Sequence, residues 1–216
     1  MGADDQAPSE SMYDRFVRAA RIDADNWRDP AHDLDAIQLA TSEERKDIER
    51  FLITRGVQHF IDAEALASLD TPRARQALIE AFRNGTTEIR AAVAHVAPDL
   101  IETDERLDEL IQRIGECDAY NALGLTVAQI EETHPPVVID AMLRRIASDP
   151  GAAAVHFAGL LLYLHGQADA RFDWQQRPFL LRFNAGDDRD RREAFDDLCR
   201  RIGWDSASYA SRWSDS

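Results

Sequence analysis

Lysine is nearly missing from this chain. Of its 25 basic residues only Lys46 is lysine, and the other 24 are arginine. Positive charge is short overall, with 40 acidic residues and a net charge of −15. Phosphate contacts need clustered Lys and Arg, so a nucleic-acid partner is not expected. The same shortage argues against an anionic membrane surface. Cysteine is scarce too. Cys117 and Cys199 are isolated and make neither a disulfide framework nor a zinc site. Both are expected to be small buried hydrophobes. The longest apolar run, Ala152 to Leu164, contains His156 and falls short of the ~20 residues that cross a bilayer. Met1 to Glu10 is acidic and has no apolar stretch, so no secretory leader and a cytoplasmic location are expected.

Catalytic motifs are also lacking. There is no Gly-x-Ser-x-Gly elbow, no phosphate-binding glycine loop and no His-Glu-x-x-His. The segment Asp23-Ala24-Asp25-Asn26-Trp27 begins like a calcium loop, but Arg28 stands where glycine is needed and Leu34 where glutamate is needed. No metal and no cofactor are expected.

What is present is a helical chain. The 216 residues are 44% hydrophobic, enough for a real core without disulfides or metal. Alanine occurs 33 times, and its pairing with arginine in place of lysine suggests a GC-rich bacterial genome. Residues 1–10 read as a disordered tail. Ser11 to Arg21 and Asp33 to Ala40 are helix candidates. Thr41-Ser42-Glu43-Glu44 is a capping box, in which hydroxyl and carboxylate satisfy orphan amides reciprocally. The helix behind it stops at Gly56.

From there the chain repeats. Asp70-Thr71-Pro72 opens one helix, with Leu78, Ile79 and Phe82 on its apolar side. Thr87 to Val96 forms its partner, carrying Ile89, Val93 and Val96. A shift of 32 residues puts Leu78, Ile79, Phe82 and Val93 onto Leu110, Ile111, Ile114 and Leu125. A shift of 64 puts them onto Met142, Leu143, Ile146 and Phe157, without a gap from Pro72–Ala97 to Pro136–Leu161. A weaker copy, with Ile48, Leu52, Leu66 and Leu69, comes first. Helix pairs recurring at this period are the sequence signature of an α-solenoid, because one pair cannot bury its apolar stripe alone.

Asp70-Thr71-Pro72, Thr87-Glu88-Ile89-Arg90-Ala91-Ala92-Val93 and Asp149-Pro150 resemble the HEAT-repeat and armadillo-like family. Ile89-Arg90 matches its Val/Ile-Arg step. Asn121-Ala122 and Ala153-Ala154 depart from it. The resemblance covers about residues 41–165. It implies an all-α fold, a short right-handed superhelix of about four antiparallel helix pairs. The expected layout is one domain over 11–205, with repeats at about 41–70, 71–102, 103–134 and 135–166 and a C-terminal cap at 167–205. The cap comprises an aromatic segment and a helix, and 206–216 is expected to fray. Phe172, Trp174, Phe179 and Phe183 are expected to close the end of the stack, with ligand contact as the alternative. Asp187 to Glu193, mixed in sign, reads as a solvated helix start.

Three histidines are candidate site residues. Glu131-Glu132-Thr133-His134 has the Glu-x-x-His spacing of di-iron bundles, but no second copy exists. His134 precedes Pro135-Pro136, and a helix C-terminus favours histidine for dipole reasons alone. His156 and His165 are nine residues apart and share no face.

The functional expectation is a non-enzymatic protein-binding module, since solenoids work through extended concave surfaces. A charge of −15 would speed encounter with a basic protein. The concrete version is an acidic bacterial immunity or antitoxin protein that masks a basic toxin. Its partner site is expected at Glu131, Glu132, His134, Tyr163, His165, Trp174 and Arg177, because arginine and aromatics anchor interfaces. Two alternatives stay open. One is a HEAT-like DNA glycosylase, which needs a basic face that Arg73, Arg75, Arg83 and Arg90 would have to supply. The other is a scaffold subunit of a larger complex.

Overall fold

A computed structural model describes residues 10–21, 32–118, 122–184 and 187–213. The expected tail at 1–10 lies outside these residues except for Glu10, which pairs with Arg18. The calcium-like segment 23–27 lies outside them as well. Among the described residues the chain is helical and forms no strand. No described helix is long and apolar enough to cross a membrane.

The chain divides into two compact units, the first ending at Glu102 and the second beginning at Thr103. One domain over 11–205 was the expectation. The division falls where the second expected repeat meets the third, because each unit closes an apolar cluster of its own.

The first unit holds α1 (Met12–Ala19), α2 (Leu34–Leu39), α3 (Ser42–Arg55), α4 (Phe60–Leu69), α5 (Pro72–Asn84) and α6 (Thr87–Val96). Helix starts follow local chemistry. Ser11, Asp33, Thr41, Thr71 and Thr86 each accept an amide of the first turn, as N-cap side chains do. The capping box of α3 is present as expected, and its Glu44 also accepts the amide of Met12 at 2.8 Å. One carboxylate thus ties the starts of α1 and α3. Helix α3 packs on α4 and α5 on α6, while α3 also meets α5 and α4 meets α6. Helices α1 and α2 lie on this pair of pairs through α3 and α4.

The second unit holds α7 (Thr103–Glu116), α8 (Leu123–Glu132), α9 (Pro136–Ser148), α10 (Ala152–Leu164), α11 (Arg177–Leu180) and α12 (Asp188–Ile202). The same pattern recurs. Helix α7 packs on α8 and α9 on α10, while α7 meets α9 and α8 meets α10. Helices α5 and α9 cover residues 72–84 and 136–148, so the 64-residue shift maps one onto the other end to end. Leu78, Phe82 and Val93 are buried, as are Met142, Ile146 and Phe157.

The 32-residue shift holds for α7 and fails for α8. It places that helix at 119–128, whereas α8 starts at Leu123. The connection after Cys117 is longer, with a bridge between Asp118 and Ala122 and a left-handed Ala122 (φ 58°). Leu125 is therefore only half-buried, and Leu123, Thr126, Val127 and Ile130 face the core instead.

Two C-terminal expectations change. Ser206–Trp213, expected to fray, is a 3-10 helix packed on α9 and α12. Tyr209 is buried there, donates to Asp140 at 2.7 Å and accepts from the Trp204 indole at 3.0 Å. The charged start of α12 is not wholly solvated either, because Arg191 is buried and lies 4.9 Å over the Trp213 ring. Both cysteines are buried and free. Burial raises the Cys117 thiol and pushes Cys199 up to about 12, with help from Asp196 and Asp205.

The most consequential buried polar contact is in the first unit. His32 Nε2 lies 2.8 Å from an oxygen of Asp62, with both side chains almost fully covered. The other Asp62 oxygen accepts the amides of Gln58 and His59 at 3.0 Å, and Arg55 stands 3.6 Å away. Burial pushes this carboxyl up. The hydrogen bonds from His32 and Gln58 and the charge of Arg55 outweigh it, so Asp62 sits below its ordinary 3.8. Removing the carboxylate strands the donors in the interior, and Asp62→Ala should cost about 3 kcal/mol in urea unfolding. A carboxyl lowered in the folded state stabilises above its unfolded value. The wild type should therefore lose stability as pH falls below ~4, and the variant should show a flatter acid limb.

Candidate functional site

The segment after α10 lies against that helix because position 159 is glycine. A Cβ on Gly159 would sit 2.5 Å from the carbonyl oxygen of Arg171. This close approach brings Arg171 and Phe172 over the exposed side of α10. Arg171 reaches across to α8 and pairs with Glu131 at 2.7 Å. The Phe172 ring meets the His156 imidazole, with centroids 5.7 Å apart and planes tilted by 35°. Trp174 stands edge-on to Phe172 at 6.2 Å, and the Arg177 guanidinium lies 5.1 Å from the Trp174 ring centre. Asp173 fixes the turn between the two aromatics by accepting the Gln175 amide at 2.8 Å.

The result is a continuous surface row: Glu131, Arg171, His156, Phe172, Trp174, Arg177. Trp174 is 71% exposed and Phe172 37%. Burying a large apolar side chain is worth ~1.5–3 kcal/mol, so this row holds free energy that the isolated chain leaves unused. The Arg177 contact adds little at an open site, ~0.5–1 kcal/mol, but it holds the indole in place.

The expected site residues divide between this row and its surroundings. Glu131, Trp174 and Arg177 belong to it. Glu132 and Tyr163 are exposed, and among the described residues no hydrogen bond, ion pair or ring contact joins them to the row. His134 and His165 occupy matching places after the C-termini of α8 and α10. The Nδ1 atom of each lies 2.9 Å from a carbonyl of its own helix, that of Ile130 or Leu161. They terminate helices, as the dipole argument anticipates for His134.

The expected capping role needs correction for part of the aromatic segment. Trp174–Gln176, α11 and Leu181–Phe183 form successive helical turns. Helical spacing turns Phe179 and Phe183 inward, where they stack edge-on at 5.5 Å. Phe183 is fully buried and Phe179 partly so. Phe172 precedes those turns, Trp174 opens the first of them, and both stay outside. Sequence reasoning missed Arg171 and Gly159 as site residues, and weighed His156 without placing it beside Phe172. The available signal was the polar company of the two exposed aromatics, Asp173 and Gln175.

Burial lowers the His156 imidazole, and the nearby Arg171 charge lowers it further. At neutral pH it is therefore an uncharged ring against Phe172. Among the described residues no group of three or more His, Cys, Asp or Glu is placed to hold a metal ion. No protein-family model, curated protein or solved structure matches this chain.

Proton NMR should find the His156 titration midpoint below the ordinary 6.5, and Arg171→Gln should move it upward. Gly159→Ala should force the 171–174 segment away from α10. The expected cost is ~1–3 kcal/mol in thermal unfolding, with a shift in tryptophan emission.

Proposed function

We propose that this chain is a non-enzymatic protein-binding module that masks a basic partner, with Trp174 as its anchor. The carrying observation is an indole 71% exposed and held between Phe172 and Arg177 on a supported surface. Exposed aromatics and arginine on a rigid frame have the composition of interface hot spots. The net charge of −15 favours a partner of opposite sign and speeds its approach. Glu132 and Asp169, neighbours in sequence of Glu131 and Arg171, are exposed carboxylates.

Each unit stacks two helix pairs, first helix on first and second on second. That contact pattern supports reading each as a two-repeat HEAT-like stack, the architecture whose usual work is protein recognition. An acidic immunity or antitoxin protein acting in a bacterial cytoplasm is the concrete form of this reading. A DNA glycosylase would need a basic, nucleotide-facing surface, and a scaffold subunit would need a stable multi-protein assembly. Partner capture tests the binding module, and a duplex-DNA shift tests the enzyme.

Capture at low salt from the native host should recover a basic protein in stoichiometric amount. Trp174→Ala should weaken that complex about 30-fold or more, the loss of a hot spot worth ~2 kcal/mol, with an unchanged melting temperature. Recovery of no basic protein would overturn the reading, and a salt-dependent shift of duplex DNA would favour the enzyme. If Trp174→Ala unfolds the chain, Trp174 is a cap residue and the anchor assignment is wrong.

A further inference from the structure

The first unit has an open cavity of about 390 Å³ where α4 and α6 end side by side. Its apolar lining comes from Leu66, Leu78, Val96 and Leu100, and its charged lining from Asp70, Arg75 and Asp99. Leu66 and Leu78 are fully buried and make a rigid floor. Asp70 is left-handed (φ 51°) at the C-cap of α4, and Arg75 pairs with it at 2.8 Å. Both members of that pair are more than half exposed, so the bridge is readily exchanged. Asp99 is exposed and has no ion pair among the described residues.

Negative contributions outnumber positive ones among the lining residues. Two carboxylates face one guanidinium. The ends of α4 and α6 each add the negative pole of a helix, roughly half a charge, and at α4 the Arg45 guanidinium already donates to the last carbonyl, that of Leu69, at 3.4 Å. The chain also contains a precedent. In the second unit a cavity at the ends of α7 and α9 is lined by Arg144, Arg145 and Arg212. There Arg212 donates to Ser148 at 3.2 Å, and Arg145 pairs with Asp149. That helix-end cavity is lined by three guanidiniums of the chain, whereas the one in the first unit holds one.

We propose that the cavity of the first unit is a receptor for a long-chain cation, an arginine or lysine side chain of the basic partner. The alkyl stem lies on Leu66, Leu78 and Val96, and the head group takes Asp99 and, by displacing Arg75, Asp70. Stems of this kind bury their methylenes while the charge stays wet. The proposal rests on the basic-partner reading for who brings the cation, but the cavity is testable without a partner.

The probe is n-butylguanidinium, followed by amide NMR shifts of the whole chain, with n-butanol and butyrate as matched controls. Butylguanidinium should shift residues 66–70 and 96–100 selectively. Asp99→Asn should weaken it about three- to fivefold, the scale of an open ion pair. Arg75→Gln, which frees Asp70, should tighten it about threefold, the opposite of what a merely structural Arg75 would give. Salt should weaken both forms. Equal shifts from n-butanol or butyrate, or indifference to both charge variants, would overturn the proposal. Such a failure would leave the Trp174 reading standing, because that reading is judged by partner capture in the second unit.

Discussion

A helix that is apolar on nearly every side has to be covered on nearly every side. Helix α10 is the extreme case, with Ala153, Ala154, Val155, Phe157, Ala158, Gly159, Leu160, Leu161 and Leu162 all buried. It is covered by α8, α9, α11 and α12. Helix α4, with Ile61, Ala63, Ala65, Leu66 and Leu69 buried, is covered by α2, α3, α5 and α6. The alanines matter as much as the large residues, because they let neighbouring helices approach closely. The covering helices are amphipathic and turn their charges outward. Much of each unit's layout follows from supplying enough half-polar helices to cover two largely apolar ones.

That constraint also places the candidate site. Once α10 is covered by the segment that follows it, the outer surface of that segment becomes a supported surface. Gly159 permits the contact, and Phe172 and Trp174 are carried to the outside by it. Charges are kept out of the interior unless they arrive paired. Asp62 enters with His32 and Arg55, and Glu109 with Arg113. Each such pair fixes which helices meet, since breaking it leaves a stranded charge. Arg113, fully buried, also binds Gln129 and so joins α7 to α8.

Legibility followed locality. The capping box at Thr41, the proline start of α5 and the span of α6 are set by neighbouring residues and could be read directly. The 64-residue correspondence of α5 with α9 was readable because proline and the apolar stripe mark both ends. The start of α8 was not, because a left-handed Ala122 and a bridge to Asp118 have no side-chain signature. Trp174 and Arg177 were singled out by residue type. Their contact and exposure depend on turns that composition does not disclose.

The sequence by itself determined that this is a helical chain, where most helices begin, which stripes are apolar, and that its net charge is strongly negative. These properties come from side-chain type and spacing within a few residues. The tertiary structure decided the rest. It divided the chain at Glu102 into two units that each enclose a core. It packed Tyr209 where a frayed end was expected, and it left Trp174 open while burying Phe183. Those outcomes turn on which surfaces compete to cover the apolar helices, and that competition is between residues far apart in the chain. The scarcity of lysine takes its meaning here as well. Arginine can lie flat on an aromatic ring, and this fold places it over one at Arg177, Arg191 and Arg201.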